Sequence, residues 1–305
     1  MNVEQAITSA CDQVGITVPK RVTTFGRWMK TDTLSGKSGR GDGRVIVNEH
    51  HVTAWNWQTG EQRTVALKDE FSPVERKEIA RQIERDGQEQ KRRAKAAADI
   101  AASMIAKAKP AQHPYLIGKG FQHERALVIE AASVLDIGGR YLLPEHVGEK
   151  AILVPARIGN RVSSLQLIWE DGTKKFLAGG EMDGAAQRLS SGSFTWLCEG
   201  FATGLSLRTA LKALHRSDCV LCCFSAYNVK VVARSLKGRR AIVTDNDKPL
   251  RQYDGLGTGE WYARQTNLPY LMPPQLGDDL NDLHLRDGIF GVQRLLSNFI
   301  REAVL

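Results

Sequence analysis

The sequence predicts an α/β protein whose last third forms a parallel sheet flanked by helices. Apolar strands alternate with short helical runs from residue 193 onward, as in "FTWLCEG" followed by "FATGLSLRTALKALHR". Upstream of residue 192, turn residues separate runs of strand-forming residues, and a charged helical stretch precedes those runs. Strands that alternate with helices are typical of a parallel sheet covered on both faces.

The order of these patterns predicts four parts along the chain. They are an N-terminal β-rich region over residues 1–69 with a candidate DNA contact, a helical connector over 70–110, a smaller α+β subdomain over 111–192 and a catalytic α/β domain over 193–305. In the first part, "RVIVNEHHVTAWNWQTGEQRTVAL" has the alternation and turns of a small antiparallel sheet.

Single residues indicate where elements begin, break and turn. In the connector, Ser72 and Pro73 mark a helix start, and Gly87 is a candidate break within that helix. In the α+β subdomain, Gly-Asn at 159–160 and Asp-Gly at 171–172 predict hairpin turns between three strands.

Composition and charge bound the class of protein. The 305 residues are 42% hydrophobic and 25% charged, as in an ordinary globular protein, and the formal net charge is +8 with a pI near 9.3. This excess of positive charge favours a polyanionic partner. No apolar run is long enough to span a bilayer, and the first residues lack the layout of a secretory signal. We therefore expect a cytoplasmic protein with no membrane partner.

Two local motifs are rejected as functional signals. Cys219, Cys222 and Cys223 contain a CxxC, but it lies in an apolar run, and no second CxxC or His pair stands at zinc-ligand spacing. We predict small buried residues of a core strand and no zinc. The run Gly36–Ser38 is not a phosphate-binding P-loop, because Thr31 stands where that motif requires a glycine.

Acidic residues follow three of the predicted parallel strands. Glu199 ends the first strand, Asp245 and Asp247 end the third in "AIVTDND", and Asp279 and Asp282 follow the fourth in "GDDLNDLH". Ligands bind outside the carboxyl ends of such strands, so three acidic strand ends predict one site. Oxygen-only ligands suit Mg²⁺ or Mn²⁺. The alternative for Asp-Asn-Asp alone is a solvated turn.

These motifs resemble the TOPRIM domain, and more specifically the TOPRIM primases of phages, plasmids and other mobile elements. "CEG", "TDND" and "DDLND" carry the domain-level likeness, and "HPYLIGKG", "SLQLIWEDGTKKFLAGG" and "CEGFATGLS" extend it upstream. The likeness runs in order over roughly residues 110–290. It implies a DNA primase, a DNA-directed RNA polymerase that synthesises short RNA primers from ribonucleoside triphosphates on a single-stranded DNA template.

The resemblance also implies roles for individual residues. Glu199 matches the family's acid/base glutamate. Asp245, Asp247, Asp279 and Asp282 match its metal-binding acids, with Mg²⁺ or Mn²⁺ as the cofactor. Candidates for nucleotide phosphate contacts are Lys174, Lys175, Arg161, Gly200, Gly257 and Gly259. For the two lysines, the exposed face of a hairpin is an equal alternative, and for the glycines a close backbone approach is the first interpretation.

In the N-terminal region, Arg27, Trp28, Arg40 and Arg44 are candidate DNA-binding residues, and Trp55 and Trp57 accompany them. Aromatic residues among basic ones suit stacking with single-stranded bases. For any one of these tryptophans, the core of a small sheet is the favoured alternative.

Two features separate this chain from replicative primases. It has no set of cysteines for a zinc ribbon, and no helicase sequence follows the catalytic region. We therefore expect a separate replicative helicase or other replication protein as a partner. Two other functions stay open: a TOPRIM nuclease that uses the same acids, and a non-catalytic adaptor that binds single-stranded DNA.

Overall fold

The computed structural model describes residues 2–21, 25–34, 39, 41–57, 59–67, 72–146 and 148–303. The chain divides into two compact units. The first comprises Met1–Glu84 and Asp247–Trp261, and the second comprises Arg85–Asn246 and Tyr262–Leu305. No helix in the described part of the chain is long and apolar enough to cross a membrane. The predicted division into four parts is finer than these two units and stays a prediction.

The first unit is built on one helix and one antiparallel sheet of order β1-β2-β3-β4. Its elements are α1 (Val3–Val14), β1 (Met29–Thr31), β2 (Gly43–Val47), β3 (His51–Asn56) and β4 (Gln62–Ala66). Alternate strand residues such as Val45 and Ala54 point toward α1 and join its apolar residues in one core. The antiparallel sheet predicted from the alternation is confirmed.

The helical connector is one continuous helix, α2 (Pro73–Lys107). The expectation that Gly87 breaks it is wrong, because a single glycine in a long helix costs only about 1 kcal/mol. The C-terminal part of the helix buries Ala97, Ala101 and Met104 in a core of the second unit. That packing offsets the cost of the glycine.

The second unit contains an antiparallel sheet of order β5-β6-β7-β8-β9. Its elements are β5 (Lys109–Ala111), α3 (Pro114–Gly118), β6 (Ala126–Glu130), α4 (Ala131–Gly138), β7 (Lys150–Ile158), β8 (Arg161–Trp169) and β9 (Lys174–Phe176). Strands β7, β8 and β9 pair as two hairpins, joined at residues 159–160 and 170–173. The three predicted strands and their turns are therefore confirmed.

A second sheet of this unit has the order β10-β12-β11-β13-β14. The sheet and its flanking helices comprise β10 (Gln187–Ser190), β11 (Thr195–Cys198), α5 (Phe201–Ala213), β12 (Cys219–Cys222), α6 (Ala226–Ser235), β13 (Arg240–Val243), α7 (Thr258–Arg264), β14 (Tyr270–Leu271) and α8 (Leu280–Glu302). The residues of α7 up to Trp261 belong to the first unit. Strands β11 to β14 are parallel, as predicted, and β10 is an antiparallel edge strand.

The parallel sheet is covered on both faces. One core joins it to α5 and α8, and another joins it to α6. Cys219, Cys222 and Cys223 are buried in these cores, as predicted. Burial raises the pKa of the Cys222 thiol to about 12, so this side chain stays a neutral thiol at physiological pH.

Candidate functional site

The strand end at Glu199 is fixed by the neighbouring strand. β11 pairs with β12 and β13 in register, with Cys198 opposite both Cys222 and Val243. The Glu199 carbonyl oxygen accepts a hydrogen bond from the Phe224 N–H at 2.8 Å. Glu199 is partly buried at the carboxyl end of the sheet, where the sequence predicted it.

Asp245 and Asp279 are brought near each other by a bridge between their chain neighbours. The Asn246 N–H donates to the Asp278 carbonyl oxygen at 2.9 Å, and the Gly277 N–H donates to the Asn246 carbonyl oxygen at 2.6 Å. The side-chain amide of Asn246 also donates to the Pro273 carbonyl oxygen at 2.9 Å. These bonds tie the loop before α8 to the end of β13. The segments that follow the third and fourth parallel strands, which carry Asp245 and Asp279, are therefore bonded to each other.

Asp279 and Asp282 form the N-terminal cap of α8. The Asp279 carboxylate accepts the N–H groups of Asn281 at 2.7 Å and Asp282 at 2.9 Å, and the Asp282 carboxylate accepts the Asp279 N–H at 3.0 Å. This reciprocal pattern satisfies helix N–H groups that have no partner within the helix. Each acid has a structural role of its own, and a metal-binding role for either stays a prediction.

Asp247 belongs to the first unit, together with Gly257 and Gly259, two of the three predicted phosphate-binding glycines. Its carboxylate accepts the Gly259 N–H at 3.0 Å, and burial raises its pKa above the ordinary value. A Cβ on Gly257 would lie 2.5 Å from the Asp247 carbonyl oxygen, so a close backbone approach is confirmed there. The Gly259 N–H already has a carboxylate partner, and a phosphate role for it stays a prediction.

The second unit has a cleft of about 290 Å³ beside these strand ends. Its lining residues are Tyr115, Lys119, Asp171, Gly172, Lys174, Gly200, Ala202, Thr203 and Asp279. Three of them, Lys174, Gly200 and Asp279, were predicted as site residues. A close approach at Gly200 is not found, because a Cβ there would meet only Thr203 Oγ1, at 3.4 Å.

The pKa shifts of Cys222 and Tyr115 indicate which charged groups lie near the cleft. Besides burial, the charges of Glu199 and Asp245 raise the pKa of Cys222, and the charge of Lys174 lowers it. The pKa of Tyr115 is raised first by burial and then by the charge of Asp279. One ammonium group and carboxylates from three strand ends therefore act on the same small region.

The other predicted basic residues lie apart from this cleft. Lys175 follows Lys174 in β9, and successive strand residues point to opposite faces, so only Lys174 lines the cleft. Arg161 forms an exposed ion pair with Glu181 at 2.7 Å and is not among the described lining residues. Phosphate contacts by Lys175 and Arg161 stay predictions.

Tyr115 and Lys119 line the cleft, and the sequence analysis assigned neither of them a role. Both lie in "HPYLIGKG", whose match to the primase pattern was the only available signal. Lys119 is held by Asn281, a fully buried residue whose side-chain amide donates to the Lys119 carbonyl oxygen at 2.9 Å and to Ser206 Oγ at 3.1 Å. This contact joins residues 162 positions apart, which sequence patterns do not show.

His113 fixes the N-terminal end of the same segment, before Tyr115. Its Nδ1 accepts the Tyr115 N–H at 3.3 Å as the N-cap of α3, and its Nε2 lies 3.2 Å from the Lys150 carbonyl oxygen. The two contacts require a neutral ring with the proton on Nε2. Burial lowers the pKa of His113 below its ordinary value.

Acidification is therefore expected to lower the stability of the protein through His113. Because its folded pKa lies below the unfolded value of about 6.5, the unfolded state takes up the proton first, and stability falls as the pH drops through 6.5. His113→Asn keeps a capping oxygen and does not titrate. Melting temperatures between pH 7.5 and 5.5 should depend less on pH in the variant. An equal pH dependence in both proteins would contradict this role.

A hard cation fits the donor atoms in kind. Glu199 and Asp245 follow two paired parallel strands and Asp279 lines the cleft, and all three offer the carboxylate oxygens that Mg²⁺ and Mn²⁺ prefer. Among the residues that the structure describes, however, no three His, Cys, Asp or Glu side chains are grouped closely enough to hold a metal ion. The carboxylates would have to move closer together to bind one.

The candidate DNA-binding residues lie in the first unit. Arg27 and Trp28 are exposed, and Arg44 is partly buried with its guanidinium 4.0 Å from the Trp57 ring centroid. Arg40 lies outside the described residues. The favoured alternative, that the tryptophans fill the core of the sheet, is wrong for the exposed Trp28 and Trp57, because the face of the sheet that packs on α1 is filled by residues such as Ile7 and Val45.

Comparisons with known proteins find little that is similar. No protein-family model matches the sequence, and no curated protein matches it. Among solved structures, the chain is similar to the catalytic core of DnaG, with 15% sequence identity and a TM-score of 0.37. The similarity covers 60% of this chain and 71% of that one. A likeness at this level does not identify a family.

Proposed function

We propose that this chain is a TOPRIM-type primase, a nucleotidyltransferase that synthesises short RNA primers on single-stranded DNA for phage, plasmid or mobile-element replication. The observation that carries the proposal is the cleft of the second unit, which is lined by Lys119, Lys174 and Asp279 and borders Gly200, the residue after Glu199 at the end of β11. Nucleotidyl transfer needs both kinds of charge, because a polyphosphate must be bound and a hydroxyl proton must be removed.

The lysines of the cleft suit the triphosphate of an incoming nucleotide. Lys174 and Lys119 enter the cleft from two different segments, so their ammonium groups can contact phosphates from two directions. The cleft also borders Gly200, the residue before α5, whose first turn has no capping side chain. The N–H groups of that turn are suited to phosphate oxygens.

Glu199 is the proposed proton acceptor. The 3′ oxygen of the primer, or of the first nucleotide, attacks the α-phosphorus, and the bond from that phosphorus to the bridging oxygen breaks. Pyrophosphate leaves, and the hydroxyl proton passes to the Glu199 carboxylate. A divalent ion bound by Asp245 and Asp279 would neutralise charge on the phosphates. Asp279 lines the cleft, and the backbone bonds of Asn246 tie the end of β13, where Asp245 lies, to the loop before Asp279.

One assay tests this proposal. The full chain is incubated with end-labelled single-stranded DNA, labelled ribonucleotides and Mg²⁺ or Mn²⁺, and the products are separated on a denaturing gel. We expect short, alkali-sensitive products that depend on the template, and a parallel reaction with deoxyribonucleotides tests the choice of sugar. Shortening of the DNA would identify a nuclease. DNA binding with neither product would identify a non-catalytic adaptor.

A further inference from the structure

One face of the N-terminal sheet packs on α1, and the opposite face carries basic and aromatic residues. Along β2 and β3, Val45, Val47, Val52 and Ala54 are buried against α1. The alternate positions point the other way. Four of these residues lie directly opposite one another in neighbouring strands and form a row across the sheet: Lys30, Arg44, Trp55 and Gln62. We call this surface, with Trp28 and Trp57, the aromatic face.

Three tryptophans form a continuous array on the aromatic face. The ring centroid of Trp55 lies 6.1 Å from that of Trp28 and 5.4 Å from that of Trp57. Trp28 is 45% exposed and Trp57 is 52% exposed. Large aromatic side chains normally lose most of their surface to the core of a folded protein. Two half-exposed tryptophans that flank a third therefore indicate a binding surface.

Positive charge is placed within this array. The Arg44 guanidinium lies 4.0 Å from the Trp57 ring centroid and donates to the Gly43 carbonyl oxygen at 2.8 Å and to the Gly41 carbonyl oxygen. Lys30 lies directly opposite Arg44 in the register, and its side chain is exposed. Arg27 is exposed beside Trp28. The surface thus offers ring faces for flat apolar groups and cations for anions that accompany them.

We propose that the aromatic face binds single-stranded DNA, with bases stacked on Trp28 and Trp57 and backbone phosphates beside Arg44 and Lys30. Unpaired bases present exposed ring faces at the spacing of a charged backbone, which is the chemistry that this array complements. Bases within a duplex are covered by their neighbours and cannot stack on the rings. The stacking surface follows from the first unit alone, and only the choice of DNA over RNA rests on the proposed function.

Binding of a fluorescein-labelled oligo-dT to the full chain, followed by anisotropy without nucleotide or metal, tests this inference. Trp28→Ala and Trp57→Ala should each weaken binding about five- to 150-fold, and Trp57→Phe should retain most of the affinity because it keeps a ring. Arg44→Met should lower the log–log salt slope by about 0.7, the contribution of one phosphate contact on a single strand. The matched control is Phe290→Ala, which removes a 79% exposed aromatic residue from α8 and should change nothing.

A second measurement needs no variant. Oligo-dT should quench the tryptophan fluorescence of the wild-type protein, since Trp28 and Trp57 are exposed whereas Trp169 and Trp196 are fully buried and should not respond. The inference is overturned by unchanged binding in folded Trp28→Ala/Trp57→Ala protein, by equal affinity for duplex DNA, or by tighter binding of oligo-rU. Because no nucleotide is present, a failed primer assay leaves this result intact, and the two failures are distinguishable.

Discussion

Replacing Glu199 by glutamine is expected to lower the rate of ribonucleotide incorporation by about 10²–10⁴-fold, the usual contribution of a positioned acid or base. Glutamine keeps the size of the side chain and one oxygen, but it cannot accept the hydroxyl proton. Binding of Mg²⁺ and of single-stranded DNA should stay close to that of the wild type. Primer synthesis, measured together with isothermal titration of the metal, checks this.

The matched control for Glu199 is Glu130→Gln. Glu130 also ends a strand, but that strand belongs to the antiparallel sheet, and the Glu130 side chain is exposed. Its Oε1 lies 3.5 Å from Lys150 Nζ. Removal of the Glu130 charge should leave the rate of ribonucleotide incorporation unchanged. If Glu199→Gln instead weakens Mg²⁺ binding as much as Asp245→Asn does, Glu199 is mainly a metal ligand. An unchanged rate of incorporation would refute the assigned catalytic centre.

Asp245→Asn and Asp247→Asn are each expected to reduce incorporation by at least about 10²–10³-fold, the usual loss when one electrostatic contribution to the transition state is removed, because a neutral amide is a weaker ligand than a carboxylate for a divalent ion. The fold should survive, with an equal or higher melting temperature. Burial raises the pKa of Asp247, so the folded protein disfavours the charge that asparagine removes. Asparagine also keeps an oxygen for the Gly259 N–H, which the Asp247 carboxylate accepts at 3.0 Å.

Primer assays and thermal melts on the same preparations check both substitutions. Asp136→Asn is the control, because Asp136 is an exposed acid on α4 in the second unit and is not a cleft residue. Near-normal synthesis by either variant would remove that residue from the catalytic set. Early melting would instead assign its carboxylate to the stability of the fold.

Local patterns were enough for the strands and their turns. Hairpins at Gly-Asn and Asp-Gly and the alternation of apolar strands with helices were predicted because both are set by residues close in sequence. Glu199 and Asp245 were predicted at strand ends for the same reason, whereas the pairing of their two strands came only from the structure. The capping box of Asp279 and Asp282 was also available from the sequence, since Asp-x-x-Asp before an apolar run has that signature, and it was missed.

The faces and the long-range contacts were decided by the tertiary structure. In β3, Ala54 and Trp55 alternate, but only the position of α1 determines which of them is covered. Lys119 enters the cleft because Asn281, far along the chain, binds its carbonyl oxygen. The sequence by itself determined the elements and the acids at strand ends, because backbone propensity and spacing are local. Only packing decided which tryptophans are exposed and which lysines border the cleft, because burial depends on residues distant in sequence.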